Sequence, residues 1–482
     1  MKKASVFIII PLLLLATAVY VAPAAAKDID AFCDFNPTGY MNIDGIDVPL
    51  GDPVLKALVK DYDIKPGTTV TVIANPSPTV TTMRAFLPAF EKDTGIKVMV
   101  EEPASHQIHG KALQDLTSGT GSYDVINMDN PWLPEFVGTK HVMALDDFIK
   151  KYESPRNMND FVSTVFTAYT IVDGKIWGLP HFAAIQILFY RADLFNDPKI
   201  KSAFQNKYGY ELAPPKTWKQ YNEIARFFTK KYNPDSPTKY GATMCARRKE
   251  GAISEICPVL WSFGNDVFDI NWRPLLDQPS AIAAVESYLE ASKYAPPGFA
   301  NKIWGEGAVD FMSGDVAMMR MWDALATYVE NVDEGSQIKG KVGWALMPGN
   351  RPELGGWSWI LNKDSKNPAA AYAFMHWSTG KYIAKCSAPG GGFFARVSFL
   401  EDAGVNKLYP FAPITFKSYA LFRRRTDQYA FGPIIVPEDQ FENILSTEVN
   451  NVVTEQKTPA QAMQDAQKQM TKLMKDFGYL KE

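Results

Sequence analysis

The chain is poor in the signatures of catalysis. It has no HExxH pair, no GxSxG turn, no GxxxxGK[ST] loop and no EF-hand loop, so the common zinc-hydrolase, serine-hydrolase, nucleotide and calcium motifs are missing. The five histidines, His106, His109, His141, His181 and His376, include no pair at zinc spacing with a cysteine. His106 and His109 could share a helix face, but no third ligand lies near them in sequence, so no metal site is expected. The absence of CxxC argues against a thiol oxidoreductase. Scattered carboxylates show no spacing that supports a glycosidase pair. Beyond the N-terminus no apolar run is long enough to span a bilayer, and there is no sequence repeat. Nothing here calls for a cofactor.

What is present starts with length. At 482 residues the chain exceeds the roughly 250 to 300 residues at which a single core stops growing, so two lobes are expected. Residues 1–26 have a basic start at Met1-Lys2-Lys3, an apolar middle at Val6 to Leu15 and small residues at Ala24-Ala25-Ala26. That is the layout of a cleaved secretory signal, and it implies export to a soluble compartment outside the cytoplasm. Without Lys2 and Lys3, 48 basic side chains face 53 acidic ones, which argues against nucleic acid and anionic membranes as partners. Of the four cysteines, Cys245 and Cys257 are the expected disulfide, with Cys33 and Cys386 left by elimination; the sequence allows three pairings or thiols.

Residues 27–65 show little periodicity and read as an N-terminal extension. From Gly67 the order sharpens into strand Val70 to Ala74, a helix with Met83, Phe86, Leu87 and Phe90 on one face, and strand Ile96 to Val100. A helix through Leu113 and Leu116 and strand Tyr123 to Met128 follow. This β-α-β-α-β succession implies parallel strands, whose carboxyl ends gather ligands. Those ends carry Asn75 and Ser77, then Asp129, Asn130 and Trp132. Lys175 to Phe195 then runs through Ile185, Ile187, Leu188, Phe189 and Tyr190; a run that apolar must be buried on both faces, and it leads into a second compact unit.

Eleven tryptophans are the informative excess. Trp132, Trp322, Trp357 and Trp359 sit where strands meet turns. A sugar ring stacks its CH-rich face on indole, and its hydroxyls need polar partners around the edge.

The segments GIKVMVEEP, SGTGSYDVINMD, KIWGLPHFAAIQILFYRADLF, PKTWKQYNEIA, VDFMSGDVAMMRMW, GKVGWALMPG, GGWSWILNKDSKNPAAAYAFMHW and KTPAQAMQDAQKQM resemble, in order, the family 1 extracellular solute-binding proteins. These are the maltose-binding-protein-like receptors of carbohydrate ABC importers. The resemblance covers nearly all of Gly67 to Lys475. It implies an α/β, two-lobed periplasmic-binding-protein fold of type II, with about three crossing segments as its hinge. Lobe 1 would hold residues 66–181 plus 352–390, and lobe 2 residues 182–351 plus 391–482. By the same resemblance the ligand contacts fall at Asn75, Ser77, Asn130, Trp132, His181, Trp322, Asp323, Gly356, Trp357 and Arg396. The partners implied are a sugar, oligosaccharide or sugar alcohol and the permease of an ABC importer; the receptor is expected to be a monomer without catalysis. Two alternatives stay open. Arg247 and Arg248, in the unusual CARRKEGAISEIC loop, could hold a phosphorylated or anionic polyol, and the chain could instead be a secreted glycan-active enzyme or lectin.

Overall fold

The computed structural model describes residues 37–330, 335–424 and 438–480. The expected leader and Cys33 lie outside the described residues, so the leader and the Cys33–Cys386 pairing are not addressed by it. Among the described residues eight strands form one curled sheet. Lys97–Glu101, Thr69–Ile73 and Val125–Asp129 run parallel, as the alternation of strand and helix predicts. Leu354–Leu361 then joins antiparallel, followed by the 14-residue strand Gly178–Arg191. Beyond it come Val316–Trp322 and, parallel to that, Tyr240–Ala242.

The long strand changes partners part-way. Its residues Gly178 to Ile185 pair with Leu354–Leu361, whereas Gln186 to Tyr190 pair with Val316–Trp322. Val342–Ala345 covers the other edge from Leu188 to Arg191. Both faces of the strand are buried: Leu188 belongs to the core formed by Phe204, Tyr221, Ile253, Val285 and Met463, while Ile187 and Phe189 pack with Phe311, Met319 and Phe399. A strand of alternating side chains can serve two cores only if both sets are apolar, which explains the near-continuous run.

The N-terminal stretch, expected to lie on the first lobe as an extension, shares a core with the parallel strands. Strands Gly39–Ile43 and Ile46–Leu50 make a hairpin turned by Asp44 and Gly45, both at positive φ. Asp52 caps helix Pro53–Asp61 by accepting the Val54 N–H at 2.8 Å. Val54, Leu55 and Leu58 then join Val70, Val72, Phe90 and Trp359 in one core. The expected single helix through Met83 and Phe90 is two, Pro78–Ala85 and Leu87–Thr94. Pro88 brings no N–H to the helical ladder, so the chain breaks just before it.

Candidate functional site

The partner change at Ile185 and Gln186 is where the two halves of the sheet meet, and four of the eleven tryptophans lie near it. Trp132 follows the strand Val125–Asp129, and its ring stands edge-on to Trp357 at 5.1 Å and 84°. His109, bonded through Nε2 to Glu135 at 2.7 Å, packs edge-on against the Trp132 ring at 4.9 Å. From the other half of the sheet, the Trp322 ring lies so close over Gly355 that a Cβ there would sit 2.9 Å from it. Trp304 abuts Trp322 edge-on at 5.9 Å. All four tryptophans are half-buried, so each keeps apolar ring surface accessible beside packed protein. Such rims suit a ligand with CH-rich faces.

Asn75 and Ser77 sit at the end of Thr69–Ile73. The Asn75 side-chain oxygen accepts from Ser105 Oγ at 2.6 Å, and Ser77 caps the following helix by accepting the Val80 N–H at 3.2 Å. Asn130 is buried and donates from Nδ2 to the Leu354 carbonyl at 3.3 Å. Gly356 is fixed by its backbone: φ is 124°, and a Cβ would lie 2.4 Å from the Phe182 carbonyl oxygen. The Tyr169 hydroxyl donates to the neighbouring Gly355 carbonyl.

Three of the expected contacts do other work. Asp323 is fully buried; it accepts the Ile185 N–H at 3.0 Å and the Thr415 hydroxyl at 2.7 Å. It thus ties the partner-change point to the helix that carries Thr415. Burial raises its carboxyl to about 7 against those hydrogen bonds. His181 is likewise fully buried, stacked on Trp359 at 4.4 Å and edge-on to Phe394. Burial drives it down to about 3, and neither of its ring nitrogens has a hydrogen-bond partner in the protein. Arg396 lies over the Phe161 ring at 3.9 Å, donating to the Thr379 carbonyl at 2.5 Å and to Asp160 at 3.1 Å. Its Nε and Nη1 donate inside the protein.

Residues 73–381 match the family model for bacterial extracellular solute-binding proteins. The chain belongs to this family. Its members bind solutes rather than transform them. This solute-binding protein is 26% identical over 397 residues to a probable amino-acid ABC transporter periplasmic-binding protein, y4oP, of Sinorhizobium fredii, covering 81% of this chain and 86% of that one. It is 25% identical over 417 residues to the mannitol-binding protein of Pseudomonas aeruginosa, covering 80% and 87%. Its fold matches an ABC transporter solute-binding protein of Agrobacterium vitis solved with bound D-mannitol, at a TM-score of 0.72 and 24% identity over 86% of this chain and all of that one. The two-lobed architecture is therefore that of the periplasmic binding proteins. No helix among the described residues is long and apolar enough to cross a membrane.

The expected disulfide is absent from this solute-binding protein: Cys245 and Cys257 are both buried thiols. Cys245 faces Met319 and Met321 in one core, whereas Cys257, on helix Glu250–Ser262, belongs to the core on the other face. Arg247 and Arg248 are exposed on the loop before that helix. Trp304 and Gln186 also stand at the partner-change point, and neither is singled out by the sequence motifs. Gln186 had a visible signal, as the lone amide inside the apolar run from Ile185 to Tyr190.

Proposed function

We propose that this protein is a periplasmic receptor that captures a sugar, small oligosaccharide or sugar alcohol between its lobes and delivers it to the permease of an ABC importer. The observation that carries the reading is the convergence of Trp132, Trp357, Trp322 and Trp304 from separate segments on the point where the long strand changes partners. The mannitol named for the Pseudomonas relative and for the Agrobacterium structure supports it. On this reading lobe 1 comprises residues 66–181 and 352–390 with the N-terminal hairpin and helix added. Lobe 2 comprises residues 182–351 and 391–482. The leader, residues 1–26, is removed on export, and the receptor works as a monomer.

Binding would act by population shift. Ligand contacts made by both lobes exist together only when the lobes close, so ligand favours the closed state by the difference in affinity. The anionic-polyol reading loses its main support, because Arg247 and Arg248 are solvated on an exposed loop. A thermal-shift screen of sugars, polyols and amino acids tests the proposal: a ligand present at 100 times its Kd stabilises by about 2.7 kcal/mol. The expected outcome is a shift with sugars or polyols, reduced about tenfold in affinity by Trp322→Ala or Trp357→Ala. Catalytic turnover of any glycan, or a shift with amino acids alone, would falsify the reading.

A further inference from the structure

Among the buried side-chain oxygens with no hydrogen-bond partner in the protein are Asn130 Oδ1 and Gln186 Oε1. Both residues are at least nine-tenths buried, at 2% and 6% exposure. Their amide nitrogens are committed. Asn130 Nδ2 donates to the Leu354 carbonyl at 3.3 Å, and Gln186 Nε2 donates to the Ser254 carbonyl at 2.7 Å. A carbonyl cannot donate, so flipping either amide would set oxygen against oxygen. The two oxygens are therefore fixed as acceptors.

They also flank one short piece of chain. The Gln186 N–H donates to the Glu353 carbonyl at 3.2 Å, and Asn130 bonds the next carbonyl, that of Leu354. Gln186 stands directly opposite Trp322 in the sheet, on the same face. The Trp322 ring covers Gly355, and Trp357 lies two residues further on. One acceptor comes from the end of Val125–Asp129, the other from the half of the long strand that pairs with Val316–Trp322.

A buried acceptor left unbonded is costly, so a site that holds two of them is tuned to a ligand that donates. Hydroxyl groups donate, and phosphate or carboxylate oxygens do not. The buried arginines among the described residues are already matched, Arg191 to Asp193, Arg320 to Glu255 and Arg396 to Asp160. We propose that Gln186, paired with Asn130, is a specificity-determining residue of the cleft: the two amide oxygens accept hydroxyls of one neutral polyol from both halves of the sheet and reject a phosphate at either of those positions. This rests on the receptor reading above.

The test is calorimetric titration of the full mature chain with D-mannitol, ribitol and mannitol 1-phosphate, alongside Gln186→Met and Asn130→Leu. The expected result is binding of a neutral polyol, with the phosphate ester much weaker. Each variant should lose about ten- to hundredfold in affinity while its melting temperature without ligand stays near that of the wild type. Variants that bind the polyol as tightly as the wild type overturn the inference, since water alone then satisfies the two oxygens. So does tighter binding of the phosphate ester, or a loss of affinity that merely tracks a fall in unliganded stability. If the wild type binds neither these polyols nor any sugar, the receptor reading fails and takes the inference with it.

Discussion

His181 and His376 are both buried, yet their surroundings push them in opposite directions. His181 sits between the Trp359 and Phe394 rings, and burial drives it down to about 3. His376 sits at the seam where the N-terminal helix meets helix Pro368–Ser378. Its Nδ1 is 2.6 Å from Glu153 and its Nε2 3.1 Å from Asp52. Burial lowers it too, but the facing carboxylates of Glu153 and Asp52 outweigh that and raise it to about 10. Burial would likewise raise Glu153, and the His376 charge with hydrogen bonds from Asn157 and Tyr372 holds it at about 2. Burial sets the cost of a charge; the neighbours decide whether the charge is kept.

The largest way to break this contrast is Glu153→Ala, which leaves buried His376 short of its closest counter-charge. Removing one partner of a buried pair costs about 3–5 kcal/mol, read as a lower urea midpoint at pH 7 with an unchanged slope. A loss below about 1 kcal/mol would mean that apolar packing alone holds the seam.

Acid and alkali separate the two histidines next. His376 has a raised folded value, so its stabilisation is full below its ordinary 6.5 and is lost as pH climbs through about 10. His181 has a depressed one, so the folded state loses ground as pH falls from 6.5 towards about 3. Glu153 adds a second acid loss, from 4.5 down through about 2. His181→Phe should therefore flatten the acid arm, with about 2–3 kcal/mol less stability lost between pH 6.5 and 4 than in the wild type. It should leave the alkaline arm unchanged. Equal acid arms in urea titrations of the two proteins would contradict the assignment. The smallest effect is that of the same variant at pH 7.5, where His181 is already neutral. An aromatic of similar size should change stability by no more than about 1 kcal/mol.

The alternation of strand and helix was legible from residue spacing, and so was the crowding of tryptophans at strand ends, because both are local patterns. What stayed hidden depends on which way a side chain turns after the chain has folded. Arg396 follows a glycine run whether it faces a ligand or, as here, Phe161 and Asp160. Asp323 sits at a strand end beside Trp322, yet folding brings it Ile185 and Thr415, 138 and 92 residues away. The seam at His376 links positions 324 residues apart, and no local period records that. The Cys245–Cys257 expectation failed for a related reason: closeness along the chain says nothing about which core each sulfur enters.

The N-terminal helix has a practical consequence for watching this molecule work. Asp93 accepts the backbone N–H groups of Gly51 and Asp52 at 2.8 and 3.1 Å, and Asp52 also meets His376. A dye or surface linker placed just ahead of Gly39 would thus report on the core that holds the parallel strands. Under the proposed lobe assignment, a second dye at exposed Arg248 would turn lobe closure into a distance signal.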